Sequence, residues 1–165
     1  MFMIIIVMGV SGSGKTTIGK ALASELEMPF YDADDFHSKK NIAKMKKGIP
    51  LQDLDRKSWL ETLSGNLAKW EVENGGVLAC SALKEMYRVV LNSGVNNGIT
   101  WLYLYGHSEL IRERLASRKG HYFKPNLLSS QLADLEPPKY GWHFNIKSPV
   151  KHIVTSALNK LRYGD

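Results

Sequence analysis

Gly9, Gly14, Lys15 and Thr16 fall at the spacing G-x-x-x-x-G-K-T within Met8-Gly9-Val10-Ser11-Gly12-Ser13-Gly14-Lys15-Thr16-Thr17. Glycines at these points let the backbone double back, so that successive N–H groups line one anion-binding concavity. A lysine there supplies a point charge for the β- and γ-phosphates of a nucleotide. The Thr16 hydroxyl is a hard oxygen ligand suited to Mg²⁺. Gly9 and Ser11, Gly12, Ser13, Gly14, Lys15, Thr16 and Thr17 are therefore the candidate nucleotide-binding residues.

Asp32 and Asp34 stand two positions apart at the end of the apolar stretch Pro29-Phe30-Tyr31. Phosphoryl transfer to a hydroxyl needs a held metal ion and an acceptor oxygen aligned with the γ-phosphate. One carboxylate can serve the metal and the other can orient and deprotonate the hydroxyl. The plainer alternative is that Asp34 or Asp35 caps the following helix. Val77-Leu78-Ala79-Cys80 is followed by Ser81, where many P-loop hydrolases carry an aspartate for Mg²⁺. That shifts the metal duty toward Thr16 and Asp32. Arg112, Arg114, Arg118, Lys119, His121 and Lys124 gather around one connection, which can close over a nucleotide and place an arginine on the transferring group.

A phosphate loop works only between a buried strand and a helix N-terminus. Met3 to Met8 is an apolar, mostly β-branched run, as a strand buried on both faces requires. Ile18, Leu22 and Leu26 then share one helical face. Pro29 to Asp34, Val77 to Cys80, Ile99 to Leu104 and Tyr140 to Ile146 read as further strands, the last interrupted by Gly141. Between them fall helical patterns: Phe36 to Gly48 around Ile42 and Met45, then Leu60, Leu63, Leu67 and Trp70. Lys84 to Leu91, Leu110 to Leu115, Leu127 to Leu135 and Val150 to Leu161 continue the series. Strands alternating with helices imply a parallel sheet covered on both sides, with ligands at the strand carboxyl ends.

At 165 residues the chain suits one domain spanning 1–165. The single Cys80 forms no internal disulfide, and no Cys/His cluster has zinc spacing, so a reducing, cytoplasmic setting is expected. The apolar N-terminus lacks a basic flank and runs straight into the loop, which argues against a leader. No apolar run reaches the ~20 residues of a membrane span. The net charge of +6 includes five lysines between Lys39 and Lys47. No aromatic residues alternate with them, so a solvated helix face is expected rather than a nucleic-acid site.

Beyond the loop, several stretches resemble the gluconokinase family. They are Tyr31-Asp32-Ala33-Asp34-Asp35-Phe36-His37, Gly48-Ile49-Pro50-Leu51-Gln52-Asp53-Leu54-Asp55-Arg56 and Ala79-Cys80-Ser81-Ala82-Leu83-Lys84 with Tyr87-Arg88. Arg118-Lys119-Gly120-His121-Tyr122-Phe123 and Leu127-Leu128-Ser129-Ser130-Gln131 continue the match to about Pro138. The resemblance implies an α/β P-loop kinase fold, a five-stranded parallel sheet flanked by helices with a mobile lid at about 118–127. It implies an acceptor-binding helical segment at about 34–73, Mg·ATP as donor, D-gluconate as acceptor and, in many members, a homodimer. Asp34, Lys15 and Arg118 would be catalytic. His37, Arg56, Lys84, Arg88 and Gln131 would join Asp34 in holding gluconate, with Arg114 and Arg118 on the nucleotide side. The segment Lys139 to Asn145 departs from the family pattern, which leaves the base contacts open. The nearest rival is a shikimate kinase, disfavoured by Ser81-Ala82-Leu83-Lys84. A nucleotide-dependent RNA-binding module rests only on the lysine run.

Overall fold

In a computed structural model, which describes residues 1–118 and 125–164, five parallel strands carry the site. They are Ile4–Met8 (β1), Phe30–Asp32 (β2), Gly76–Ala79 (β3), Thr100–Tyr105 (β4) and Trp142–Asn145 (β5), in the sheet order β2-β3-β1-β4-β5. β1 lies at the centre, with Ile6 opposite Leu78 on one side and Trp101 on the other. Its five residues are all buried, as its uninterrupted apolar sequence requires of a strand covered on both faces. The fifth strand is shorter than the sequence suggests. Gly141 turns the chain just before it, with a φ of 75° and a Cβ position only 2.6 Å from the Trp101 carbonyl oxygen.

The helices are Lys15–Glu25 (α1), Lys39–Lys46 (α2), Asp53–Glu73 (α3), Glu85–Asn92 (α4), Ser108–Ala116 (α5), Pro125–Asp134 (α6) and Val150–Tyr163 (α7). The stretch after β2 differs from expectation: Ala33–Phe36 is a 3₁₀ turn, and α2 begins only at Lys39. Asp32 explains the break, because its Oδ1 accepts the Asp34 amide at 3.0 Å and starts the turn. Ser38 Oγ then accepts the Asn41 amide at 3.1 Å and caps α2. Neither Asp34 nor Asp35 is the cap of α2.

Aromatic packing fixes α3 against this region. Trp70 stacks on Tyr31 with ring centres 3.6 Å apart, and Trp59 stacks on His37 at 4.3 Å. The Trp59 indole also donates to the Ala33 carbonyl at 2.7 Å. The lysine run is divided: Lys44 turns inward to pair with Asp55 at 2.7 Å, while Lys39, Lys40, Lys46 and Lys47 remain exposed. Among the described residues, no helix is long and apolar enough to cross a membrane.

Candidate active site

The phosphate loop joins β1 to α1 at the carboxyl edge of the sheet. Gly9 has a φ of 151°, and a Cβ there would lie 2.7 Å from both the Leu104 carbonyl oxygen and Ser13 Oγ, so no other residue fits. Ser13 is buried, and its hydroxyl has no hydrogen-bond partner among the described residues. Lys15 Nζ donates to the Val10 carbonyl at 3.0 Å. Burial lowers the pKa of that ammonium, and the Asp34 and Asp32 carboxylates work in the opposite direction. Thr17 follows in the first turn of α1 and is exposed.

Thr16 Oγ1 donates to Asp32 Oδ2 at 3.4 Å. Two hard oxygen donors therefore meet at the loop mouth. This donor set fits Mg²⁺, which retains water and phosphate ligands and takes only one or two oxygens from the protein. No cluster of three or more His, Cys, Asp or Glu side chains arranged for a metal exists among the described residues.

Two cavities meet beside the loop. The first is lined by Ser11, Lys15, Thr16, Asp32 and Arg118, and the second by His37, Arg56, Trp59 and Ser130; Asp34, Ser81 and Gln131 line both. Asp34 thus stands at the junction between a phosphate-binding loop and a neighbouring polar pocket. Its carboxylate is 72% exposed, with His37 Nε2 3.9 Å away. His37 is pressed against Trp59 and receives the Asn41 side-chain amide on Nδ1 at 3.4 Å. That assignment leaves the Nε2 proton facing Asp34. Burial, with the Arg56 charge nearby, pushes the imidazole down to about 4, so it is neutral at physiological pH. Cys80 lies behind this wall, and burial pushes its thiol up to about 12, which keeps it unreactive.

The second cavity opens past Arg56 toward Lys84. Arg56 Nη1 donates to Tyr87 Oη at 2.9 Å and to Asp134 Oδ2 at 3.3 Å. Lys84 Nζ donates to Asp53 Oδ1 at 2.9 Å and stands 4.0 Å from Asp134 Oδ1. The Tyr87 hydroxyl donates to the same Asp53 oxygen. Those bonds, Tyr87 first and then Lys84, hold the Asp53 carboxyl below its usual range. Asp53, Tyr87 and Asp134 were not anticipated as site residues. Their charge and type were visible in the sequence, but pairings across 31 and 78 positions leave no local signal.

Arg88 is a correction. The sequence reading put it on the acceptor, but it is 1% exposed and lines neither cavity. Its Nε donates to Glu85 Oε2 at 2.9 Å and Tyr140 Oη at 3.1 Å. Nη1 donates to the carbonyls of Ala82 at 2.7 Å and Leu83 at 3.3 Å, and Nη2 to that of Glu136 at 2.7 Å. Ala82 has a φ of 43°, a left-handed conformation that an alanine adopts only under constraint. Arg88 is therefore the clamp that holds the turn from Ser81 to Lys84. Arg114 also lies outside the loop cavity, donating from Nη2 to the Ile146 carbonyl at 2.8 Å. Arg118 reaches the loop cavity from the end of α5. Of the rest of the expected lid, Lys119, Gly120, His121, Tyr122, Phe123 and Lys124 lie outside the described residues, and 125–127 form the start of α6.

Comparison with known proteins gives three kinds of relative. The family model described as shikimate kinase matches residues 11–138. A probable gluconokinase of Mus musculus is 46% identical, covering 96% of this chain and 97% of its own length. The crystal structure of a gluconokinase from Sinorhizobium meliloti 1021 superposes with a TM-score of 0.88 at 39% identity, over 97% of this chain and 91% of that one. A shikimate kinase from Aquifex aeolicus shares the fold, with a TM-score of 0.62 over 97% of this chain and 96% of that one, but only 22% identity.

Proposed function

The chain belongs to the gluconokinase family of P-loop kinases, and on that premise we propose that it transfers the γ-phosphoryl group of ATP to the 6-hydroxyl of D-gluconate. The observation that carries this reading is the shared wall of the two cavities, where Asp34 faces the phosphate loop on one side and a pocket holding Arg56 on the other.

Asp34 orients the acceptor hydroxyl and takes its proton as the new oxygen–phosphorus bond forms; the bond from the γ-phosphorus to the bridging oxygen breaks and ADP leaves. Lys15 releases the Val10 carbonyl to follow the β- and γ-phosphates, and the loop amides from Ser11 to Thr17 hold the rest of the chain of phosphates. Thr16 and Asp32 would hold Mg²⁺, which supplies charge neutralisation to the phosphates. Arg118, at the mouth of the loop cavity, meets the charge that builds on the transferring group. Arg56 and Lys84 take the gluconate carboxylate, for which a fixed guanidinium and an ammonium are suited. His37 offers its Nε2 proton to an acceptor hydroxyl, and Gln131 closes the pocket on the loop side. The proposal includes a homodimeric assembly, drawn from the family resemblance, and a cytoplasmic location, drawn from the cysteine usage.

Shikimate as acceptor is the second reading, favoured by the family-model match over residues 11–138. The test is product identity. Incubation with Mg·ATP and gluconate, followed by phosphorus NMR, should show a phosphate monoester coupled to the two protons of C6. ATP left intact, or a phosphate on a secondary carbon, would overturn the assignment.

A further inference from the structure

One face of α6 touches both halves of the site. Gln131 Oε1 accepts the Ser11 amide at 2.8 Å, and Gln131 Nε2 donates to Ser11 Oγ at 3.3 Å. Three residues on, and therefore on the same face of the helix, Asp134 pairs with Arg56 at 3.3 Å and stands 4.0 Å from Lys84. An amide of the phosphate-binding loop is thus occupied by a side-chain carbonyl oxygen that competes with a phosphate oxygen for it. Arg56, one of the two cations assigned to the acceptor carboxylate, is likewise bonded to an α6 carboxylate that the acceptor must displace, while Lys84 is bonded to Asp53. Gln131 and Asp134 sit on one rigid helix, so loosening one contact loosens the other.

The geometry points to α6 as the element that couples acceptor binding to nucleotide binding, with Gln131 as its positioning residue. Resting on the gluconokinase reading above, the device works as follows. As the site stands, Gln131 holds the Ser11 edge of the phosphate loop. An aldonate carboxylate takes Arg56 from Asp134, releases α6, and frees the Ser11 amide for the nucleotide. Coupling of this kind is reciprocal, so ATP tightens gluconate by the same factor. It also favours nucleotide seating when an acceptor is present to receive the phosphoryl group, rather than water.

The test is calorimetric titration of the β,γ-imido analogue of ATP with Mg²⁺, with and without saturating gluconate. Wild type, Gln131→Ala and Asp134→Asn are compared, each checked for folding by a thermal melt. In wild type, gluconate should tighten the analogue by about fivefold or more. Gln131→Ala should bind the analogue without gluconate about as tightly as wild type does with it, and the coupling factor should fall to near one. Asp134→Asn should move in the same direction. An unchanged coupling factor in Gln131→Ala, or analogue binding weakened equally with and without gluconate, overturns the proposal and leaves Gln131 a pocket wall. ADP release by wild type with gluconate is measured in parallel. Turnover without coupling sinks the role of α6 alone, whereas absence of both gluconate binding and turnover sinks this inference together with the gluconokinase reading.

Discussion

Asp34 lies where the phosphate-loop cavity and the pocket beside Arg56 share a wall, and no other carboxylate among the described residues lining the two cavities does so. A primary hydroxyl is a poor nucleophile, and a positioned base is worth ~10²–10⁴ in rate. Asp34→Asn keeps the shape and removes the basicity, so kcat should fall by about that factor while Mg·ATP affinity stays within a few-fold. A variant that keeps its kcat but melts earlier would return Asp34 to a structural role. His37 gives a prediction in pH. Its imidazole is pushed from the ordinary 6.5 to about 4, so the unfolded chain binds the proton more readily than the folded one. The stability it contributes is complete above pH 6.5 and is lost as pH falls toward 4, by up to about 3 kcal/mol. His37→Phe keeps a ring on Trp59 and removes the titration, so its melting temperature should fall less than that of wild type between pH 7 and 4.5. Equal slopes for the two proteins would place the imidazole in water.

At the scale of elements, the turn from Ser81 to Lys84 illustrates what a sequence conceals. Its residues marked a functional segment, yet Arg88 was read as a substrate ligand because the family resemblance implied that role. The structure makes it the internal clamp of a strained turn, a role set by three carbonyls, one of them 48 positions away. Arg88→Met should strand those carbonyls and cost about 3 kcal/mol or more, read as a lower denaturant midpoint with unchanged slope. A stable variant that loses only gluconate affinity would restore the original assignment. Elements with a strong period were legible: β1, α1, α3 and α7 match their apolar patterns. The start of α2 was not, because Asp32 caps a 3₁₀ turn before Ser38 caps the helix. That competition between neighbouring side chains leaves no trace in periodicity.

The whole molecule places two charge systems at one edge of a parallel sheet. The phosphate loop was plain from spacing alone, since strand, glycines, lysine and helix are contiguous. On the other side, Arg56 and Lys84 were legible only through family resemblance and Asp53 and Asp134 not at all, because α3, the turn before α4 and α6 bring them together only through folding. That side decides function, for shikimate kinases share the sheet and the loop. A pocket whose cations are already paired with Asp53 and Asp134 should favour an acceptor whose flexible chain brings both a carboxylate and several hydroxyls. The direct measurement is steady-state ADP release by the purified protein with Mg·ATP, comparing kcat/KM for gluconate, shikimate, glucose and nucleoside monophosphates. The account predicts that gluconate exceeds every other acceptor by at least about 100-fold, since a site built to bond substrate polar groups rejects analogues that lack them by large factors. Comparable or greater kcat/KM with shikimate would contradict it.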